Sequence, residues 1–244
     1  MTDQLSLRLE TDALPDLPDL RPMQPRLLPE PFDSEEHLFE PWWGGRRALV
    51  RIGPADLPGT GDIRIVDADG TDLSAAFPEL AGMAVRMAAR SAILDGEIVV
   101  VDAEGRADPA ALEARLAGGA GRSAAFLAFD LLHLDGRTLI SQPLIKRREA
   151  LRRVLRPGDE VVAVPAIATE GRALYDAAVA QGIAGILARQ RMSPYLPGVR
   201  SRLWRSVPAA PGSIPAADSA LPAPTVAAAP VLALLSRLPL DDES

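Results

Sequence analysis

Phe39-Glu40-Pro41-Trp42-Trp43-Gly44-Gly45-Arg46-Arg47-Ala48-Leu49 is the stretch on which the fold of this chain turns. Two indoles run into Gly44-Gly45, then two arginines, then an apolar run from Ala48 to Ile52 that predicts a strand. Taken alone, the glycine pair is a flexible turn more often than a phosphate cradle, and the indoles are packing residues. Downstream, Ile63–Val66 predicts a second strand and Asp69-Gly70 a turn. Phe77–Arg90 has helical apolar spacing.

Ala92–Asp102 holds Leu94-Asp95-Gly96-Glu97-Ile98-Val99-Val100 and reads as a buried strand hairpin, with Asp95-Gly96-Glu97 as its turn. Asp108-Pro109 is an N-cap followed by proline at the first helical position, ahead of Ala110–Leu116. A further strand, Ala124–Phe129, leads into Asp130-Leu131-Leu132-His133-Leu134-Asp135-Gly136. Pro143–Leu155 is predicted as an amphipathic helix with Leu144, Leu151 and Leu155 inward and its arginines and Lys146 outward. Thr169–Gln181 predicts another helix, ended by Gly182, and Gly185–Ala188 a short strand. Helices alternate irregularly with strands and hairpins, so the expected class is α+β, antiparallel sheets with flanking helices.

The 244 residues carry a net charge of −7, but the acidity sits at the ends. Residues 1–31, with six prolines, and Pro208–Ser244, where Ala and Pro make up 17 of 37 positions, each contribute −3. The centre is therefore close to neutral, and the low isoelectric point says little about what it binds. The expected organisation is an extended or disordered segment over residues 1–30, a domain over 31–207 and a disordered Ala/Pro-rich tail over 208–244. Absence of cysteine excludes disulfides and thiolate metal sites, and His37 and His133 are too few for a histidine-based centre. No secretory leader is visible, and Val226–Leu235 is broken by Pro230 and too short to span a bilayer, so the expected location is cytoplasmic. Lysine occurs once, as Lys146, beside 25 arginines. Any reaction needing an amine nucleophile must use Lys146, because guanidinium stays charged.

Together and in order, these segments resemble the nucleotidyltransferase (adenylation) domain of ATP-dependent DNA ligases, closest to the bacterial ligases of repair and end joining. The resemblance runs from about Pro31 to Val207 and includes Gly182-Ile183-Ala184-Gly185-Ile186-Leu187-Ala188-Arg189 and Tyr195–Ser201 with Trp204. It implies use of ATP and Mg²⁺ and a DNA partner. In that family a lysine in the motif Lys-x-Asp-Gly-x-Arg attacks the α-phosphate of ATP, and the AMP passes to a DNA 5′-phosphate. Here Trp42 stands at the lysine and Gly44 at the aspartate, while Gly45 and Arg47 are kept. An indole nitrogen donates a hydrogen bond but has no lone pair available for attack. Ala184 replaces a metal-binding glutamate, and Arg189, Ser206 and Pro208 occupy further lysine positions.

Retained by resemblance are Glu40, Arg47, Glu97 (near ribose and metal) and Phe129 (stacked on adenine). Either Trp42 fills the pocket or ATP still binds. Arg189, Arg191, Arg200, Arg202 and Arg205 are candidate DNA contacts, or an ordinary solvated basic edge. The oligonucleotide-binding barrel that usually follows the last motif has no counterpart before the tail. The expectation is a ligase-like protein without catalytic residues that binds nucleotide, DNA or a repair partner, with the Pro/Ala-rich tail as the segment expected to recruit that partner. The alternative is residual ATP-dependent ligase activity.

Overall fold

A computed structural model describes residues 13–209. Along the chain run β1 (Gln24–Leu27), β2 (Ser34–Trp42), β3 (Arg46–Ile52), β4 (Ile63–Asp67), β5 (Ala92–Val100), α1 (Pro109–Leu116), β6 (Ala124–Leu134) and β7 (Arg137–Thr138). They are followed by α2 (Leu144–Val154), β8 (Val161–Ala163), β9 (Ile167–Thr169), α3 (Gly171–Ala180), β10 (Gly185–Gln190) and β11 (Arg200–Pro208). Two sheets result. One has the order β4-β3-β5-β6-β7 with β8 beside β6, and the other β1-β11-β10-β2-β9. Pairing is antiparallel except for β1 with β11 and β6 with β8. The α+β class follows directly.

At β5 and β6 the larger sheet is buried on both faces, which is why most of β6 is a continuous apolar run and β5 is apolar on either side of Asp95-Gly96-Glu97. From β5, Ala92, Leu94, Ile98 and Val100 enter the cluster that also holds Leu80, Met83, Leu112 and Leu151. The opposite face gives Val99 to a second cluster, with Phe129 of β6 and with Phe39, Ile186 and Val207 of the smaller sheet, and Ile93 to a third, with Met23, Tyr195 and Trp204. With a side-chain period of two, Asp95 and Glu97 share that face with Ile93 and Val99. Two carboxylates are thereby aimed between the sheets.

Several sequence expectations need correction. Asp95-Gly96-Glu97 is not a turn: β5 is one nine-residue strand, with register irregularities opposite β6 at Ile93/Leu94 and Asp95/Gly96. Glycine is needed there because a Cβ at 96 would lie 2.4 Å from both the Leu127 carbonyl oxygen and the Phe126 ring. Pro78–Arg86 is a 3₁₀ helix rather than a longer α-helix. The arginines of α2 do not all face outward, since Arg147 and Arg148 are buried while Lys146 is exposed beside Glu149.

The domain edge drawn at residue 31 lies inside the folded unit. β1 pairs with β11, Met23 is fully buried, and Arg51 donates to the Leu17 and Pro18 carbonyls. Proline disfavours helix but leaves extended backbone free to pack, which is what this segment does. Residues 1–12 and 210–244, including most of the expected tail, lie outside the described residues. The Asp108 cap is as expected, its side chain accepting from the Ala111 N–H at 2.9 Å. Among the described residues no helix is long and apolar enough to cross a membrane.

Candidate functional site

The cleft between the sheets contains a cavity of about 280 Å³ lined by Gln24, Pro25, Trp42, Gly45, Arg47, Glu97, Phe129, Leu187, Arg200 and Ser206. Trp42, Arg47, Glu97 and Phe129 are thus brought together as the sequence suggested. Glu40 is not among them. Trp42 forms part of the wall and leaves the space open.

The β2–β3 connection is held by Glu97. Its Oε1 accepts from the Trp43 N–H at 3.1 Å and its Oε2 from the Gly45 N–H at 2.9 Å. Gly44 is favoured by its φ of +73, and Gly45 by the tight approach of this turn to β5, where a Cβ would come within 2.4 Å of the Ile98 carbonyl. N–H groups that could cradle a phosphate are therefore already filled by a carboxylate. Burial pushes the Glu97 carboxyl up, against the pull of those two N–H groups and of Arg47 and Arg189.

Beneath the cavity lies a charge network that the motif reading did not anticipate. Arg47 meets Asp95 through two bonds of 2.6 Å, and Tyr195 Oη donates to the same carboxylate at 2.7 Å. Although burial opposes it, the charge and hydrogen bonds of Asp95 hold the Arg47 guanidinium above its ordinary value. Arg147 pairs in the same forked manner with Asp130 at 2.8 and 2.7 Å, both groups having no exposed surface. Glu40, fully buried, takes Arg148 on one oxygen and Arg189 on the other. Burial lowers the Arg189 pKa, with Glu40 opposing and Arg47 and Arg148 adding to the effect.

Arg189 occupies the space over Phe129. Its guanidinium carbon sits 3.7 Å from the centroid of that ring and 4.7 Å from that of Trp204, and the Arg47 carbon is 4.4 Å from Phe129. Phe129 retains only 2% of its surface. A ring free to stack on a base would have an open face, and this one is covered by cations. One expectation is corrected here. Arg189 is a core residue unable to meet a phosphate backbone, because β10 turns it inward beside Leu187.

The other four candidate cations are accessible. Arg200 and Arg202 are exposed and Arg191 and Arg205 partly so. Burial lowers the Arg205 pKa and the nearby charges of Arg202 and Arg26 lower it further. Such mutual repulsion marks a concentration of positive charge along β1 and β11. Arg26 belongs to it, registered against Arg205, and escaped the sequence reading because it lies outside every motif. Asp95, Asp130 and Tyr195 were within quoted segments, yet only the fold reveals their partners.

The donor set does not fit a divalent cation. Both Glu97 oxygens accept backbone N–H bonds, residue 184 offers a methyl group, and Arg47 and Arg189 place positive charge against Glu97. No cluster of three His, Asp or Glu side chains suited to a metal occurs among the described residues.

This pair of packed sheets with the cleft between them is a nucleotidyltransferase fold. A family model described as ATP dependent DNA ligase domain matches residues 28–207, and the chain belongs to the ATP-dependent DNA ligase family. It is 32% identical over 171 residues to the multifunctional non-homologous end joining DNA repair protein LigD of Mycobacterium tuberculosis, covering 70% of this chain and 21% of that one. Against DNA ligase C1 of Mycolicibacterium smegmatis the identity is 33% over 210 residues, 76% of this chain and 56% of the relative. The chain thus spans about a fifth of the first relative and somewhat over half of the second. Among solved structures, mycobacterial DNA ligase D complexed with ATP and MES superposes with a TM-score of 0.65 at 28% identity, covering 78% of this chain and 60% of that one. The Chlorella virus DNA ligase-adenylate shares the fold, with a TM-score of 0.52 at 14% identity over 76% of this chain and 67% of that one. The chain is accordingly a DNA ligase-like domain related to LigD-type end-joining proteins.

Proposed function

We propose that this domain does not adenylate itself and acts as a non-catalytic, DNA-contacting module in end-joining repair. The observation that carries the reading is the set of side chains at the cleft's reactive positions, which are unsuited to the transfer although the cavity stays open. An indole stands at the nucleophile position, a guanidinium covers the Phe129 ring, and Glu97 is bound to backbone N–H groups. Phosphoryl-type transfer requires a nucleophile and cations arranged around developing charge. Lys146 cannot serve, because it sits on the outer surface of α2 in a pair with Glu149 at 3.0 Å, with more than half its side chain exposed.

DNA contact is supported by Arg26, Arg200, Arg202 and Arg205, which lie on β1 and β11 at one edge of the smaller sheet. Cations so placed suit a phosphate backbone, which releases counterions on binding. The test is titration of a nicked duplex into the whole chain at 50 and 200 mM salt, followed by a sealing assay on the same mixture. Binding that weakens at least tenfold at the higher salt, with no sealing, is the expected result. Sealing would favour residual ligase activity, and absence of binding at both salts would leave no role for DNA.

A further inference from the structure

Strand β11 divides its arginines between two faces of the smaller sheet. Arg205 stands opposite Ala188 of β10, and Ala188 opposite Phe39 of β2, so the three point to one side. That side is the one α3 covers, since a Cβ on Gly171, at the start of α3, would lie 2.4 Å from the Phe39 ring. Trp204 and Ser206, the chain neighbours of Arg205, turn the other way. Ser206 lines the cavity, and the Trp204 ring lies beside the Arg189 guanidinium. His37 agrees with this placement. It shares the outer side with Phe39 along β2, and its pKa is lowered by burial and, against the pull of Glu36, by the charge of Arg205.

Arg26 of β1 is registered against Arg205, which sets two like charges side by side on adjacent strands. Such a pair destabilises the sheet unless an anion joins it. Among the described residues no carboxylate pairs with either guanidinium, and Arg205 Nη1 has no hydrogen-bond partner. Turning Arg205 onto an outside anion therefore gives up no internal hydrogen bond.

We infer that Arg26 and Arg205 form a clamp for one phosphate of a DNA backbone on the outer face of the smaller sheet, the side of α3 and not of the cleft. The inference rests on the DNA-contacting reading above and deepens it by assigning the contact to a face. Neighbouring strands lie about 4.8 Å apart, so both side chains can reach a single phosphate. Its several acceptor oxygens suit two guanidinium groups at once. A free phosphate offers the same oxyanion. The backbone is favoured because Arg202, close enough for its charge to act on Arg205 as that of Arg26 does, can meet a further phosphate along the strand.

The test is titration of the full chain with an intact blunt duplex, which offers backbone but no nick, over a range of salt, with circular dichroism to confirm folding. Arg205→Gln and Arg26→Gln are each expected to weaken binding by about threefold or more and to make the salt dependence shallower by about one counterion. Arg205→Lys should keep most of the affinity, because a point charge still meets the phosphate. Arg153→Gln, which removes the same charge from the exposed surface of α2, should stay within about twofold. Because one phosphate is shared, the loss on combining Arg26→Gln with Arg205→Gln should fall short of the product of the single losses. Arg205→Gln and Arg200→Gln, on opposite faces, should multiply. Inorganic phosphate should displace the duplex no better than chloride of equal ionic strength, and specific displacement would make free phosphate the occupant and overturn the DNA assignment. Tighter binding of an oligo-aspartate peptide than of duplex, lost in Arg205→Gln, would overturn it in favour of an acidic protein segment. Duplex binding indifferent to both Arg26→Gln and Arg205→Gln overturns the clamp and leaves the DNA-contacting reading standing. Absence of duplex binding by the unaltered chain overturns that reading itself.

Discussion

Glu40 holds two guanidinium groups at a position with no solvent-exposed surface, and one of them, Arg189, is the group that lies over Phe129. Arg148 and Arg189 are both almost wholly buried, and Glu40 is the carboxylate that meets each of them. Removing one member of a buried ionic group leaves its partners uncompensated, which costs far more than an exposed pair is worth. Glu40→Ala is expected to lower unfolding stability by about 3–5 kcal/mol in urea titration. Lys146→Ala, which removes only an exposed pair with Glu149, should change it by less than about 0.5 kcal/mol. An equal effect of the two would mean that Glu40 is not a structural counter-charge. The resemblance drew attention to Glu40 as a nucleotide-binding position, and its actual partners lie 108 and 149 residues away in sequence. No local pattern encodes a pairing at that range. The same applies to Arg189, whose burial follows from the inward turn of β10 and not from the arginines around it in the chain.

Elements were more legible than side-chain partners where the signal was local. The Asp108-Pro109 start of α1, the α2 and α3 helices, and the strands β3, β4, β6 and β10 follow from caps, spacing and apolar runs. β1 was missed because Gln24–Leu27 has only four residues with a proline among them, and its partner β11 lies at the other end of the domain. The misread hairpin at β5 has a particular cause. Asp-Gly is a strong turn signal, but here the glycine admits the Leu127 carbonyl and the Phe126 ring, and the acidic neighbours face the cleft. Gly96→Ala should therefore destabilise the domain by about 3 kcal/mol, measured by thermal or urea unfolding. A change below about 0.5 kcal/mol would show that β5 can shift to admit a methyl group, and the tight β5–β6 contact would lose its importance.

At the scale of the whole molecule, the family's two-sheet architecture is present while the cleft between the sheets is lined by an indole and by paired charges. Core clusters on both faces of the larger sheet keep the cleft walls in position, independent of what the lining residues can do. This explains how membership of a ligase family coexists with a lining of indole, paired arginines and a carboxylate bound to backbone. Fold identity carries ancestry, and chemistry depends on the site. The most direct measurement is incubation of the chain with α-labelled ATP and Mg²⁺ or Mn²⁺, followed by denaturing electrophoresis. No label on the protein band is expected, because Trp42 has no lone pair to attack phosphorus and Lys146 lies on the outer surface of α2. A covalent label that survives denaturation would contradict it.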